Sequence, residues 1–320
     1  MLVIGGNGAV GRTIVTELTR LGHHATSASR QSNSTPLDLG ASDAADMIAQ
    51  LAQQHDVVIN ASGREDPRLV AAVQGKPYVD ISATARFIDE ARQNVSPGQS
   101  VLLGAGLVPG LSTLLIASLA TKPGDEVDLG IVLGTGERHG PAAVEWTAAL
   151  AGELLHAPPE GGAIPNFSER RRLPSATGPR KYLRTDFPDH LLIGAANQVT
   201  VRSYLAVGDA GTTAALRLVG MAPRLAPLLA KFPHLGNDLW SLTAVNRRTS
   251  TQLAVQGNGQ SRATGILTAI AAVRLLEQLP GRIVTAADLL ELQEIPDLRD
   301  PGASLLSRRD HGHAHEAQTL

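Results

Sequence analysis

The sequence predicts an α/β protein, with a doubly wound parallel sheet over about residues 1–120 and an α+β sheet domain over 121–263. Three observations carry that expectation. The apolar run Leu2-Val3-Ile4 ends in Gly5-Gly6-Asn7-Gly8-Ala9-Val10-Gly11 and passes at once into helical periodicity. Short apolar runs then alternate with helical stretches as far as residue 120, the pattern of successive βα units. Beyond that point Val127-Asp128-Leu129-Gly130-Ile131-Val132-Leu133 alternates with period two, as a half-buried strand does.

The glycine stretch comes first. Gly6, Gly8 and Gly11 fit the G-x-G-x-x-G spacing of a Rossmann nucleotide-binding turn. There the first glycine turns the chain, the second lets a diphosphate reach the backbone, and the third packs helix on strand. Unpaired N–H groups at the helix start hold the phosphates, so Gly6, Asn7, Gly8, Ala9, Val10 and Gly11 are candidate cofactor residues. Ile14, Val15, Leu18 and Leu21 continue a helix over about 9–21, and Gly22 stands at its C′ position. A second strand over 24–28 ends in Ser29-Arg30. A carboxylate at this place holds a ribose 2′-hydroxyl, whereas an arginine accommodates a 2′-phosphate. The nearest carboxylate is Asp38, so Ser29 and Arg30 point to NADP.

Residues 43–53 suit a helix, and Asp56-Val57-Val58-Ile59-Asn60-Ala61 reads as a buried parallel strand. Its loop, Asn60-Ala61-Ser62-Gly63, is expected to border the cofactor, because ligands of such sheets bind at the strands' carboxyl ends. A short helix over 67–74 leads to the strand Tyr78-Val79-Asp80-Ile81-Ser82, which puts Asp80 at that same edge. After a helix over 83–93, Val101-Leu102-Leu103-Gly104 forms a further strand whose end brings Ala105 and Gly106 to the cofactor. Residues 101–120 are long enough and uncharged enough to suggest a membrane span, but Gly104, Gly106, Pro109 and Gly110 make them a strand, a turn and a helix start.

In the second domain, 134–140 is a polar loop and 141–150 a helix with Pro141 at its first position. Prolines and glycines over 157–178, with Arg170, Arg171 and Arg172 among them, suggest an irregular flap. Residues 198–207 and 249–255 read as strands, and Gly257-Asn258-Gly259 as a hairpin turn. An apolar helix over 264–279 stops at Pro280-Gly281, a short helix over 286–292 follows, and the segment 264–300 is expected to complete the nucleotide domain. Residues 301–320 are expected to be a disordered tail. Its alternating His311, His313 and His315 lack a framework for a metal site, and none is expected.

Composition bounds the chemistry. A chain of 320 residues with 43% hydrophobic and 18% charged residues is an ordinary globular protein. A formal charge of -2 and 3% aromatics give no attraction to nucleic acid or lipid and little base stacking. With no cysteine, thiolate chemistry and disulfides are excluded, which fits a cytoplasmic location; no leader is expected ahead of a strand that begins at residue 2.

The Gly-rich unit, Asp56-Val57-Val58-Ile59-Asn60-Ala61, Tyr78-Val79-Asp80, Gly106-Leu107-Val108-Pro109-Gly110-Leu111 and Gly265-Ile266-Leu267-Thr268-Ala269-Ile270 before Pro280-Gly281 together resemble the saccharopine dehydrogenase-like superfamily of NAD(P)-dependent reductases. The resemblance implies that the C-terminal helix returns to the nucleotide domain, that the middle sheet supports substrate, and that the protein is a homodimer. Saccharopine-forming members resemble Gly-Leu-Asp-Pro-Gly where this chain has Val108, which argues against saccharopine as substrate. A short-chain dehydrogenase would need Tyr and, four residues on, Lys; Tyr78, Tyr182 and Tyr204 are followed there by Ser82, Asp186 and Gly208.

A nicotinamide reductase needs its acceptor carbon held near the ring and a proton donor beside it. Asp80, His139 and Tyr182 are the candidate donors, each with a structural alternative such as capping or a loop role. Glu137, Arg138 and Arg184 are candidate substrate ligands, and the basic stretch Arg180, Lys181, Arg184 can hold a carboxylate or the phosphate of a carrier-linked acyl group. The expected reaction is hydride transfer from NADPH to an imine of a small molecule. Reduction of a conjugated C=C or a carbonyl, or a non-catalytic NADP sensor, are the alternatives.

Overall fold

The computed structural model describes residues 1–134, 136, 149–175, 178–208, 210–222, 224 and 237–295, and the backbone of 304–308. Glu137, Arg138, His139, most of the helix expected over 141–150 and the histidines of the tail lie outside the described residues.

The first of two sheets is six-stranded and parallel, in the order β12-β5-β4-β3-β1-β2. Its strands are β1 (Leu2–Ile4), β2 (Thr26–Ala28), β3 (Val58–Asn60), β4 (Tyr78–Asp80), β5 (Val101–Leu103) and β12 (Ile283–Val284). Both faces are covered, so the inner strands are mainly apolar while their side chains still alternate; the edge strand β2 is Thr26-Ser27-Ala28. Val3, Ile59, Val79 and Leu102, which face one another across the register, enter one core. Leu2, Ile4, Val58, Tyr78, Val101 and Leu103 enter the other, under α2 (Ala44–Gln53), α3 (Arg68–Ala72) and α4 (Ala85–Arg92). The first core lies under α1 (Ala9–Arg20), α5 (Leu111–Ala117) and the long helix α7 (Gln260–Gln278), and it continues into the second sheet through Val127, Leu129, Ile131, Leu183 and Leu205. Helix α7 lies against α1, where a Cβ on Gly265 would fall 2.6 Å from Thr13 Cβ and 3.0 Å from the Val10 carbonyl oxygen.

The second sheet has seven strands in the order β13-β11-β10-β6-β9-β8-β7. These are β6 (Glu126–Leu133), β7 (Arg170–Leu173), β8 (Arg180–Arg184), β9 (Thr200–Val207), β10 (Leu239–Asn246), β11 (Gln252–Asn258) and β13 (Ser304–Arg308). Only the β6–β9 pair is parallel. The described helices here are α6 (Ala210–Met221) and, after β12, α8 (Ala286–Leu289).

Three expectations are corrected. The arginine triplet lies in β7 rather than in an irregular flap, because Arg171 Nε reaches Asp128 Oδ2 at 2.9 Å and Arg171 pairs with Tyr182 across the ladder. Gly257-Asn258-Gly259 is no hairpin turn: β11 runs to Asn258 and Gly259, at φ +70°, starts α7. The hairpin turn lies instead between β10 and β11, where Arg247 and Arg248 grip Asp128 and Asp125. Within the tail, residues 304–308 form β13, since the edge of β11 offers a free row of backbone groups.

Candidate functional site

The parallel sheet changes direction of winding between β1 and β3, with β2 on one side and β3, β4, β5 and β12 on the other. Such a switch point opens a crevice at the carboxyl ends of the strands. The glycine turn after β1 and the loop after β3 meet there.

Gly5, at φ +80°, turns the chain, a role the motif spacing would give to Gly6. A Cβ on Gly5 would lie 2.5 Å from Ser62 Cα and 2.6 Å from the Ala61 carbonyl oxygen, so the two loops touch backbone to backbone. A Cβ on Gly6 would meet Ser27 Cβ at 2.8 Å, and one on Gly11 would meet Gly6 Cα at 2.7 Å. Gly8 differs. It is exposed, and its Cβ would meet only the Gly5 carbonyl oxygen, at 3.2 Å. Its outward side is open above the first turn of α1, which carries no acidic residue. These are the conditions a diphosphate needs.

At the end of β2, Ser27 Oγ donates to Asn7 Oδ1 at 2.8 Å and ties the strand to the turn. Ser29 Oγ is buried with no hydrogen-bond partner, and the neighbouring Arg30 is exposed. Asp38 turns its carboxylate to the Gly40 amide at 2.9 Å. Arg12, which sequence reasoning did not single out, donates from Nη1 to the Asn7 carbonyl at 2.6 Å and lies against the same turn.

At the ends of β3 and β4, Asp80 is fully buried and accepts from three groups: Ser82 N–H at 2.7 Å, Asn60 Nδ2 at 2.9 Å and the Tyr78 hydroxyl at 2.7 Å. Burial raises its pKa, and these bonds pull it back. Asn60 Oδ1 in turn accepts from Ser62 N–H and Oγ, which shapes the loop that touches Gly5. Glu65 accepts from the Ala83 and Thr84 amides at 3.2 and 3.1 Å and ties that loop to the one after β4; burial raises its pKa also. At the end of β5, Ala105 N–H donates to the Asp80 carbonyl at 2.9 Å and Thr268 Oγ1 to the Ala105 carbonyl at 2.9 Å, while Gly106 abuts Thr264 of α7. Gly6, Asn7, Gly8, Ser29, Arg30, Asn60, Ala61, Ser62, Ala105 and Gly106 therefore share one edge.

Tyr182 and Arg184 do not join them. Alternation along β8 sends Leu183 into the shared core and Tyr182 and Arg184 to the sheet's opposite face. Tyr182 packs with Leu173, Val132, Tyr204 and Ala206, its hydroxyl donates to the Pro174 carbonyl at 3.3 Å, and burial pushes it up to about 12. Arg184 is engaged by Glu160 at 3.2 Å and by the Ser203 carbonyl at 3.2 Å, with its guanidinium 5.6 Å from the Tyr204 ring centre.

One segment of the second half does reach the edge. Residues 185–194, ending in a π-helical turn (His190–Gly194), lie against α4, where Arg92 Nη2 donates to the Leu191 carbonyl at 2.9 Å, and over the start of α5. Ser112 Oγ donates to Asp189 Oδ1 at 2.6 Å, and a Cβ on Gly104 would approach Leu192 Cδ1 to 2.9 Å. Nothing in local sequence marks this segment, whose burial depends on residues far away in the chain. Asp189 is fully buried and burial raises it from 3.8 to about 6. Its protonated form thus contributes stability that is fully present below about pH 4 and lost as pH rises through about 6. Asp189→Asn is expected to remove that slope, gaining on the parent by about 3 kcal/mol between these limits. Urea unfolding of both proteins across this range checks it, and parallel curves would refute it.

Residues 1–113 match the NAD dependent epimerase/dehydratase family. That span holds the glycine turn and the ends of β1 to β5, so this part of the chain is an NAD(P)-type nucleotide-binding unit. No curated protein matches the whole chain or part of it. Among solved structures, an engineered D-amino acid dehydrogenase bound to NADP+ is similar at 15% identity, over 94% of this chain and 95% of that one, with a TM-score of 0.45. The C. glutamicum DAP dehydrogenase in complex with DAP is similar at 15% identity over 94% and 95%, with a TM-score of 0.44. The WlbA (WbpB) dehydrogenase from Thermus thermophilus, in complex with NAD and UDP-GlcNAcA, is similar at 13% identity over 90% and 91%, with a TM-score of 0.40. Likenesses of this strength leave the chemistry to be read from the chain's own residues. Among the described residues no helix is long and apolar enough to cross a membrane.

Proposed function

We propose that the protein is an NADPH-dependent oxidoreductase of the saccharopine dehydrogenase-like type that reduces the C=N bond of an amino-acid-derived or carrier-linked small molecule. The observation that carries this reading is the glycine turn pressed against the Ala61–Ser62 backbone at the sheet's switch point, with Ser29 Oγ unpartnered and Arg30 exposed at the neighbouring strand end. The amides of Ala9 and Val10, at the start of α1, hold the diphosphate above the open side of Gly8. Ser29 and Arg30 hold the 2′-phosphate. The loops at Asn60–Gly63 and at Ala105 and Gly106 border the nicotinamide half. The bound cofactor supplies a hydride, and the side chains position the acceptor and manage a proton.

Titration of the purified protein with NADPH and NADH, followed by nicotinamide fluorescence, tests the reading; binding of neither cofactor would sink it. Arg30→Ala is expected to weaken NADPH about ten- to hundredfold and to spare NADH, the size of one charge-assisted contact. An equal loss of both cofactors would show that Arg30 does not touch the 2′-phosphate.

A further inference from the structure

Four carboxyls, three of them buried, line the edge where β4 and β5 end, and two of the four, Asp80 and Glu65, are held by the loops there. Both oxygens of Asp80 are taken by Ser82, Asn60 and Tyr78. Glu65 holds the two amides of the β4 loop. Asp189 accepts from Ser112 through Oδ1 alone, and its Oδ2 is buried with no hydrogen-bond partner, but the residue is sealed from solvent. Asp186 is different. It keeps 4% exposure where Asp189 has none, and although the His156 amide holds its carboxyl, its Oδ1 is buried with no hydrogen-bond partner. Its backbone amide donates to Asn166 Oδ1 at 2.8 Å, which fixes the chain direction there. The charged groups that face it are His156 in the loop before β7, Arg184 on β8 and Arg86 in the first turn of α4. Arg86 follows the loop that closes β4, and Asp189, three residues beyond Asp186, is bonded to the first turn of α5. Asp186 therefore stands over the carboxyl ends of β4 and β5, on the side of the switch point away from Ser29 and Arg30.

We propose that Asp186 is the carboxyl group that meets the substrate's nitrogen beside the nicotinamide ring and gives its proton to an imine as the hydride arrives. This rests on the reductase reading above and extends it to a substrate whose reacting nitrogen must be basic enough to pair with a carboxylate once reduced. As the imine carbon accepts the cofactor's hydride, the C=N π pair moves to nitrogen and takes the Asp186 proton. An amine, an oxidised cofactor and an Asp186 carboxylate result, and the carboxylate regains a proton from solvent. Burial is the main cause that raises Asp186 to about 6, against the pull of the His156 amide and of the His156, Arg184 and Arg86 charges. A carboxyl in that range is a usable acid near neutral pH.

The oxidised nicotinamide ring carries a positive charge that the reduced ring lacks, so the two cofactors provide a test that needs no substrate. Protein labelled at the aspartate Cγ is titrated by NMR with saturating NADPH and then with saturating NADP+, and the Asp186 resonance is identified by its loss in Asp186→Asn, or by its displacement in Asp186→Glu if the first variant does not fold. The Asp186 pKa is expected to fall by about one pH unit or more in the NADP+ complex relative to the NADPH complex, as a unit charge within several ångströms requires. The same pKa in both complexes, with both cofactors shown to be bound by nicotinamide fluorescence, would overturn the proposal. Failure of either cofactor to bind would remove the reductase reading, and this proposal with it.

Discussion

Gly11→Val is expected to abolish binding of NADPH and NADH alike and to destabilise the fold. A Cβ at this position would fall 2.7 Å from Gly6 Cα and 2.8 Å from the Gly5 carbonyl carbon, and nearer still to that group's oxygen. These are backbone atoms of the turn itself, so no side-chain rotation relieves the overlap. Either the turn opens or α1 withdraws from β1, and withdrawal would carry Ile14 and Leu18 out of the core and separate Thr13 from Gly265. Overpacking of this kind costs about 1–3 kcal/mol, with more where backbone must move. Gly8→Ala separates the two effects. Its Cβ needs only a small adjustment against the Gly5 oxygen at 3.2 Å, so the melting temperature should stay near the parent's while the methyl group fills the space above the first turn of α1. Both cofactors should then weaken by about tenfold or more, or about 1.4 kcal/mol. Thermal melts and fluorescence titrations of the two variants check this. Parent-like binding by Gly11→Val would mean that the turn is not the diphosphate site.

Local signals in the sequence made most of the parallel sheet legible. Strands β1, β3, β4 and β5 lie in short apolar runs that end in a glycine or a small polar residue, and the two cores take their apolar residues in alternation, so the run announces itself without long-range information. The same holds for Asn60 and Asp80, whose place at strand ends follows from counting along the run. What Asp80 does there was not legible, because Tyr78 and Ser82 are near in sequence but Asn60 comes from another strand. The second sheet was read less well for a related reason. Arg171 looks like part of a solvated loop until Asp128, 43 residues away, is placed opposite it. Tyr182 looked available for chemistry because one strand's alternation does not say which face meets the rest of the protein. Asp186 carries no local signal at all, since its burial depends on Asn166, and its place in the site on helices that follow β4 and β5.

Asp80→Ala is expected to cost about 3 kcal/mol or more in stability and to weaken both cofactors through the loops it holds. Three buried donors, the Tyr78 hydroxyl, Asn60 Nδ2 and Ser82 N–H, would lose their acceptor at once. A buried donor left unmet costs about 1–3 kcal/mol, and the alanine methyl group cannot fill the space of a carboxyl. The loss would spread along a defined route. Asn60, freed on one side, no longer presents Oδ1 to Ser62 in a fixed direction, and Ser62 is the residue whose backbone meets Gly5. Asp80→Asn keeps the shape and an acceptor for Ser82, but it sets an amide N–H₂ against the Asn60 amide or forces that amide to turn. It should therefore fall between parent and alanine in urea unfolding. Because all of Asp80's bonds run to protein groups, it is a positioning residue here, and its substitution should raise the dissociation constants of NADPH and NADH together. A fully stable Asp80→Ala protein with parent-like cofactor binding would remove Asp80 from the framework of the site and return it to the candidate proton donors.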